Sequence, residues 1–428
     1  MKKWIKGIAP TLSAALLAVW TLAGCGILDV ENPNNLVEDD LSNPAAADPM
    51  ANGAEASVTR ALSYITAPYS VATDELTWVG SRDAWGQLDD GVIDFSGNEF
   101  TDQAFPFVGE ARWMTDEFIG RLEAFQEAGA GSTNALIRVY LYNAIIYTTI
   151  ADMFDDFTLS DRTEPGPPVG PENMVTLYDQ ALGSVNKALA LNPSGDLEAA
   201  LMGMKARIVY SKAVWQKVNP VNTSSPLVNA GAAEAAAALG VMDGDFVFKL
   251  ITDGGFQLSN YMSGQINDRL EFTFTDTWVK RNEAGNKVDE VTYPDMIDGV
   301  VHPYLKAFIE DFVAQRQYAD IPIVSAREMH LILAESALAQ GDMNGFTTHI
   351  NHVRAFDDLT PYSGQVDAQD LLIESRAVNL FLQGRRLADL YRFGLQSPEW
   401  ESGTPAMTRP GTFLPITKVE IEANPLVR

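Results

Sequence analysis

The sequence predicts a mostly α-helical protein whose helices form antiparallel pairs, with long irregular loops and a few short strands. Apolar residues recur at helical spacing over much of residues 45–215 and 325–356, and tight-turn sequences divide these stretches into pairs. Only one short run alternates as a strand does. The chain has 428 residues and an apolar fraction of 46%, enough to bury a large core. We therefore expect one domain over residues 45–428.

The N-terminal segment has the pattern of an export signal. A basic stretch precedes an apolar run over residues 8–22, which is too short to span a membrane. This pattern predicts a secretory signal peptide over residues 1–24. The run ends Leu22-Ala23-Gly24-Cys25, which resembles the lipobox of bacterial lipoproteins, and the resemblance implies lipidation of Cys25. The alternative is an ordinary signal peptide with a chance cysteine.

The next segment, residues 25–44, is polar and rich in turn-forming residues, as in Asn32-Pro33-Asn34-Asn35. We interpret it as a lipidated tether. No other long apolar segment follows in the sequence, so acyl chains and not a spanning helix would hold the protein on its membrane.

The charge balance is strongly acidic. Lys and Arg total 30 against 57 Asp and Glu, which gives a formal net charge of -27. This composition argues against a nucleic acid partner, because phosphate binding needs a basic face. Cys25 is the single cysteine, so neither an internal disulfide nor a thiolate metal cluster can form.

The helices of the first half are predicted from apolar spacing and turn signals. The first begins near Ala45 and ends near Ile65, where Pro68 closes it. Residues 68–110 are rich in Trp, Gly and Asp without a sustained period, so we expect a long ordered loop. Asp196 is expected to cap the last helix of this half. Further helices are predicted over residues 111–128, 133–154, 171–189 and 196–215.

The second half combines an insertion with a helical hairpin. Residues 216–300 are rich in turns and aromatics and alternate over residues 270–275, so we expect loops and short strands there. Two helices are then predicted over residues 325–340 and 342–356, divided by Gly341. Their small residues and their turn are similar to those of tetratricopeptide units, although no strict repeat spacing is visible.

Several short motifs follow one another in the C-terminal third. They are Ala326-Arg327-Glu328, Ala334-Glu335, Glu374-Ser375-Arg376, Gly384-Arg385-Arg386, Asp389-Leu390, Leu414-Pro415-Ile416 and Asn424-Pro425. In order and spacing this set resembles the RagB/SusD family of outer-membrane nutrient-binding lipoproteins.

The resemblance implies a single helical domain of tetratricopeptide-like pairs, with irregular loops on one face holding the ligand. It also implies a lipoprotein of the outer membrane that faces the cell surface. The implied partner is a SusC-like TonB-dependent transporter, which would receive the captured nutrient. The expected ligand is a glycan or oligosaccharide, with a peptide as the alternative.

The candidate ligand contacts lie between residues 73 and 90, where two tryptophans stand among planar polar side chains. Sugar rings pack their C–H faces on aromatic rings, and their hydroxyls pair with polar groups. We therefore expect Trp78, Arg82, Asp83 and Trp85 to bind ligand, although each could instead anchor the loop to the helical body. Second candidates, in or beside the insertion, are Trp278, Tyr293 and Tyr304.

No catalytic constellation or cofactor motif is recognisable, so we expect neither an enzyme nor a bound cofactor. We interpret the charges of the C-terminal motifs, including Arg385 and Asp389 at i,i+4, as ion pairs that lock helices together. His349 and His352 are three positions apart on one helix. A zinc site would need a third protein ligand that the sequence does not place, so surface or capping histidines are favoured and no metal is expected.

Two other functions remain open from the sequence. Tetratricopeptide-style helices usually grip other proteins, which would make the chain a lipid-anchored scaffold with an aromatic-poor groove. A hydrolase would need two carboxylates facing each other across a sugar, and it would show measurable turnover.

Overall fold

The computed structural model describes residues 40–161, 164–221, 224–256 and 258–427. The predicted signal peptide, Cys25 and the tether up to residue 39 lie outside the described residues. The chain divides into a unit of residues 1–46 and a compact unit of residues 47–428. In the first unit the described residues form two short 3-10 turns, Asp40–Ser42 and Pro44–Ala46.

Helices make up most of the second unit. They are α1 (Ala47–Val71), α2 (Asp83–Asp89), α3 (Glu99–Glu127), α4 (Thr133–Met153), α5 (Thr176–Ala190), α6 (Asp196–Val218), α7 (Ala232–Leu239), α8 (Tyr261–Gly264), α9 (Pro303–Ala314), α10 (Ala326–Ala339), α11 (Met343–Ala355), α12 (Ala368–Asn379), α13 (Arg386–Arg392), α14 (Pro405–Thr408) and α15 (Lys418–Ala423). No helix of the described ranges combines the length and apolar character needed to cross a membrane.

The strands are short and form three separate antiparallel pairs. They are β1 (Leu76–Trp78), β2 (Val247–Leu250), β3 (Phe272–Phe274), β4 (Val279–Arg281), β5 (Val288–Val291) and β6 (Ile321–Ser325). β1 pairs with β3, β2 with β6, and β4 with β5. The predicted fold class, mostly α with a few short strands, is confirmed.

The helices pack as sequential neighbours. α4 packs against α5 and α5 against α6, while α1 packs against both α3 and α4. A short turn joins α5 to α6, and another joins α10 to α11, which makes the two helices of each pair antiparallel. The helices of the α10–α11 hairpin begin and end within one residue of the predicted boundaries, with Gly341 at a positive φ of 75° in the turn. Ser325 and Asp342 cap its two helices by accepting hydrogen bonds from backbone N–H groups.

Several predicted boundaries are wrong. Pro68 does not end the first helix, because α1 is buried along this turn and continues to Val71. The predicted loop over residues 68–110 contains α2 and the start of α3. The helix α6 begins as expected, but Gly195 is its N-cap residue and no side chain caps it. The insertion also contains the alanine-rich helix α7 beside its strands.

Candidate ligand-binding site

Residues 73–90, which carry the predicted contacts and which we call the binding loop, are hydrogen-bonded to the chain just before β3. The N–H groups of Val79 and Gly80 donate to the carbonyl of Glu271 at 3.1 and 2.9 Å. The carboxylate of Glu271 accepts from the N–H groups of Ser81 and Arg82, both at 3.2 Å. One glutamate thus holds four successive backbone groups, so the loop after β1 has a fixed shape.

The start of the same segment is fastened to the C-terminal part of the fold. Asp74 forms a two-pronged ion pair with Arg386 of α13, with N–O distances of 2.7 and 2.6 Å. Glu75 accepts a hydrogen bond from the N–H of Leu382 at 2.8 Å. Burial raises the pKa of the Glu75 carboxyl to about 7. The binding loop is therefore held by two separate parts of the chain, the residues around β3 and the C-terminal part of the fold.

Trp85 lies in the core beneath this loop. Its side chain is fully buried and stacks on Phe100 of α3, with ring centroids 3.6 Å apart. Its other neighbour is Phe272 of β3, which meets it edge to face at 4.6 Å. In this structure Trp85 has no ring face open to a ligand, so it supports the loop that carries the other three predicted residues.

Trp78, Arg82 and Asp83 lie at the surface of the loop. Trp78 is 37% exposed and lies over Gly86, where a Cβ atom would approach the indole ring to 2.8 Å. Arg82 pairs with Glu99, and its guanidinium lies 4.9 Å from the ring centroid of Phe100. Asp83 is exposed at the start of α2. The structure therefore brings an aromatic ring, a cation and an anion onto one rigid loop.

The structure also shows three partly exposed rings that the sequence analysis missed. Tyr261 of α8 stacks on Tyr64 of α1 at 4.1 Å, and Tyr64 contacts Phe107 of α3 at 4.6 Å. We call Tyr64, Phe107 and Tyr261 the aromatic strip. Arg60 lies 4.7 Å above the Phe107 ring and pairs with Glu110 at 2.5 Å.

The outer face of α3 links the binding loop to the aromatic strip and then to a cleft. We call this face the α3 ridge; it consists of Glu99, Gln103, Phe107, Glu110 and Trp113. Their spacing of three or four positions puts them on one side of a helix. Its fifteen residues, 99–113, span fourteen rises of about 1.5 Å each, which gives the ridge a length of about 21 Å.

The cleft lies at the Trp113 end of the α3 ridge. Its volume is about 480 Å³, and Glu110, Trp113 and Glu420 are among the residues that line it. A periodic run of half-exposed polar and aromatic residues was the available sequence signal for the ridge. It was missed because residues 99–110 were assigned to a loop.

The second candidates are mainly structural. Trp278 is buried, and its indole N–H donates to the carbonyl of Asp74 at 2.6 Å. It therefore supports the start of the binding loop. Its ring contacts Tyr293 at 4.6 Å. Tyr304 lies under the guanidinium of Arg327, 4.2 Å from its ring centroid. None of these three lies on the loop that bears Trp78.

The charged C-terminal motifs form buried ion pairs, as predicted, but with different partners. Arg385 and Asp389 do not pair: Arg385 binds Glu328 at 3.0 Å. Asp389 binds Arg376 and Arg392, both at 2.8 Å. Burial alone would raise the pKa of Asp389, but these two cations hold it below its usual value. The i,i+4 spacing failed as a guide because the Arg385 guanidinium reaches a desolvated carboxylate on another helix, Glu328 of α10.

Comparison with known proteins gives matches to solved structures alone. No protein-family model matches the sequence, and no curated protein matches it either. A SusD superfamily protein from Bacteroides fragilis superposes with a TM-score of 0.62 at 13% identity, covering 90% of this chain and 99% of its own. One from Bacteroides thetaiotaomicron also gives 0.62, at 12% identity, covering 88% and 98%.

A further match is a SusD-like carbohydrate binding protein from Bacteroides vulgatus. Its TM-score is 0.56 at 13% identity, and the match covers 82% of this chain and 84% of that one. These matches extend over nearly the whole compact unit. The resemblance carried by the C-terminal motifs is thus confirmed at the level of the fold: the chain has the fold of the SusD superfamily.

Proposed function

We propose that this protein captures an oligosaccharide on the surface formed by its binding loop and the α3 ridge. The observation that carries the proposal is the position of Trp78, partly exposed beside Arg82 and Asp83 on a loop that is fastened on two sides. A rigid aromatic platform binds a sugar ring at a low cost in conformational entropy. The carbohydrate binding described for the Bacteroides vulgatus neighbour supports this ligand class.

The shape of the surface favours an oligomer over a single sugar. Trp78 lies at one end, the aromatic strip beside the ridge, and Trp113 at the far end. Aromatic faces accept the C–H faces of sugar rings, and the intervening Glu99, Gln103 and Glu110 can accept hydrogen bonds from hydroxyl groups. We infer that the ligand lies along the ridge and contacts more than one of these rings.

The test is a calorimetric titration of the full-length chain with a panel of neutral oligosaccharides. Trp78→Ala should weaken binding about three- to tenfold, the equivalent of about 0.5–1.5 kcal/mol for a lost stacking contact. Trp113→Ala should weaken the binding of long oligosaccharides and leave the binding of short ones unchanged. Met343→Ala is the control, since Met343 is 44% exposed on α11, outside the proposed surface.

The outcome of this titration decides the ligand class. Equal affinities of Trp78→Ala and the parent would contradict the proposed platform. If the protein binds peptides and no oligosaccharide, the proposed surface could still be the binding site, but the proposed ligand class would be wrong. Conversion of an oligosaccharide during the titration would contradict a purely binding role.

The proposed cellular role is delivery of the ligand to a SusC-like TonB-dependent transporter at the outer membrane. It rests on the lipobox-like sequence at Cys25 together with the SusD-type fold. Cys25→Ala should release the protein from the membrane fraction of the native host. Recovery of the lipidated protein from that membrane without an outer-membrane transporter would contradict the proposed partner.

A further inference from the structure

The chain contains four histidines, and three of them meet where α10 packs against α11. The Nδ1 atoms of His330 on α10 and His349 on α11 are 3.3 Å apart. His352, one turn further along α11, stacks on the His330 ring with centroids 4.6 Å apart and an interplanar angle of 15°. The fold thus supplies from α10 the third histidine that the sequence could not place.

These imidazoles are suited to donate lone pairs. Burial, with added repulsion from His352 and His349, lowers the pKa of His330 to about 4. Burial also lowers the pKa of His349. A neutral imidazole nitrogen carries the lone pair that binds a metal ion.

The distance between the two Nδ1 atoms matches a shared metal ion. A tetrahedral zinc ion with Zn–N bonds of about 2.0–2.1 Å places two nitrogen ligands about 3.3–3.4 Å apart. The observed 3.3 Å lies at that value. A hydrogen bond between the rings would have a similar length, so the experiment must separate these two arrangements.

We propose that His330 and His349 bind a divalent transition metal ion of the zinc class, with His352 as the third protein ligand. Across the described residues, no three His, Cys, Asp or Glu side chains already stand in position to hold an ion. His352 must therefore turn out of its stacked position, and its exposure at the surface of α11 gives it room to do so. The bound ion would cross-link α10 to α11.

The ligand type determines which ions can bind. Imidazole nitrogens suit zinc, copper and nickel, whereas calcium and magnesium prefer oxygen ligands. This preference separates the histidine site from weak binding to the acidic surface, which would favour the oxygen-seeking ions.

The test uses the full-length chain carrying a purification tag without histidine. Zinc chloride is titrated in competition with a chromophoric chelator, and cobalt(II) absorption reports the coordination geometry. We expect one saturable site per chain and a rise in the thermal midpoint with excess zinc, because only the folded chain holds the ligands together. Calcium chloride should not compete.

Variants identify the ligands. His330→Gln and His349→Gln should each lower zinc affinity by about tenfold or more, because a lost ligand costs at least as much as a lost supporting contact. His352→Ala changes an exposed residue, so it tests the third ligand without disturbing the core. His302→Gln, at the remaining histidine, should bind zinc as the parent does.

Three results would overturn the proposal. They are the absence of a saturable site, equal zinc affinity in the parent and in all three variants of the cluster, and displacement of zinc by calcium. The first, combined with an NMR signal for a proton shared between the two Nδ1 atoms, would establish the hydrogen bond instead.

Discussion

At the residue scale, the binding loop depends on a carboxyl group that is buried without full hydrogen bonding. One oxygen of Asp89 accepts from the Thr77 hydroxyl at 2.9 Å and from the Trp78 N–H at 2.8 Å. The other oxygen, Oδ1, is buried and has no hydrogen-bond partner. Burial, opposed by these two hydrogen bonds, raises the pKa of Asp89 to about 7.

Asp89→Asn should therefore change how stability depends on pH. The folded-state pKa lies above the unfolded value, so the stabilisation from the protonated carboxyl is complete below the unfolded pKa and is lost as pH rises through about 7. Asparagine keeps one accepting oxygen and does not ionise. The free energy of unfolding of the variant, relative to the parent, should rise between pH 5 and pH 8 by up to about 2.5 kcal/mol.

Urea denaturation at the two pH values measures this difference. Asp243→Asn, at an exposed position after α7, is the control and should follow the parent at both pH values. A parallel pH dependence of parent and Asp89→Asn would show that the Asp89 carboxyl ionises at its ordinary pKa in the folded protein.

The sequence showed that the binding loop carries aromatic and polar side chains, but it did not show which of them face the core and which face the surface. Trp78 and Trp85 are both tryptophans in a polar setting, and the sequence treats them alike. The structure separates them because Trp78 ends a strand at the surface, whereas Trp85 lies on the inner face of α2. Which face of a short helix turns inward depends on Phe272, which is remote in sequence, and on Phe100, which the sequence analysis placed in a loop.

At the element scale, α3 shows why a predicted loop became a helix. Asn98 is its N-cap, accepting from the N–H groups of Phe100 and Thr101 at 3.1 and 3.3 Å. The side-chain amide of Asn98 also donates to the carbonyl of Ala84 at 2.7 Å, which ties α2 to α3. Pro106 lies inside this helix, where proline is normally unfavourable, and tertiary packing of α3 on α1 outweighs its cost.

Asn98→Ala should lower the free energy of unfolding by about 1–2 kcal/mol, because it removes the cap of α3. Asn98→Asp keeps an accepting oxygen and loses the donor to Ala84, so it should cost less stability while loosening α2. Chemical denaturation measures the first effect, and hydrogen exchange over residues 83–89 measures the second. Equal stability of parent and Asn98→Ala would contradict the capping role.

At the scale of the whole molecule, buried ion pairs join segments that are distant in sequence. Arg392 has a fully buried side chain and binds Glu335 of α10 at 2.5 Å and Asp389 at 2.8 Å. It also donates to the hydroxyl of Tyr210 on α6 at 2.9 Å. The network thereby connects α6, α10 and α13.

Arg392→Met should lower the free energy of unfolding by about 3–5 kcal/mol, since it removes the nearest cation of buried Glu335 and one of the two cations that bind Asp389. Lys212→Met is the matched control, because Lys212 pairs with Asp179 at the surface. Such exposed pairs contribute about 0–1 kcal/mol. Guanidinium denaturation measures the free energy of unfolding of both variants. Similar losses of stability in the two would contradict a larger contribution from the buried network.

The sequence predicted the helix pairs well because local signals specify them. Gly341 and the caps at Ser325 and Asp342 are encoded within a few residues of the helices they end or begin. The partners of Arg385 and Arg386 were not predictable, because Glu328 and Asp74 come from other parts of the chain. The α3 ridge was missed for a different reason, since residues 99–110 were assigned to a loop and their helical spacing was not used.

The ion pair between Asp74 and Arg386 joins positions 312 residues apart. A chain still being synthesised thus carries Trp78 long before it carries the arginine that supports the segment beneath it. Incomplete chains would expose Trp78 at the end of a strand that lacks its supporting ion pair. The binding loop would consequently take its fixed shape late, once the final third of the chain has folded against the first.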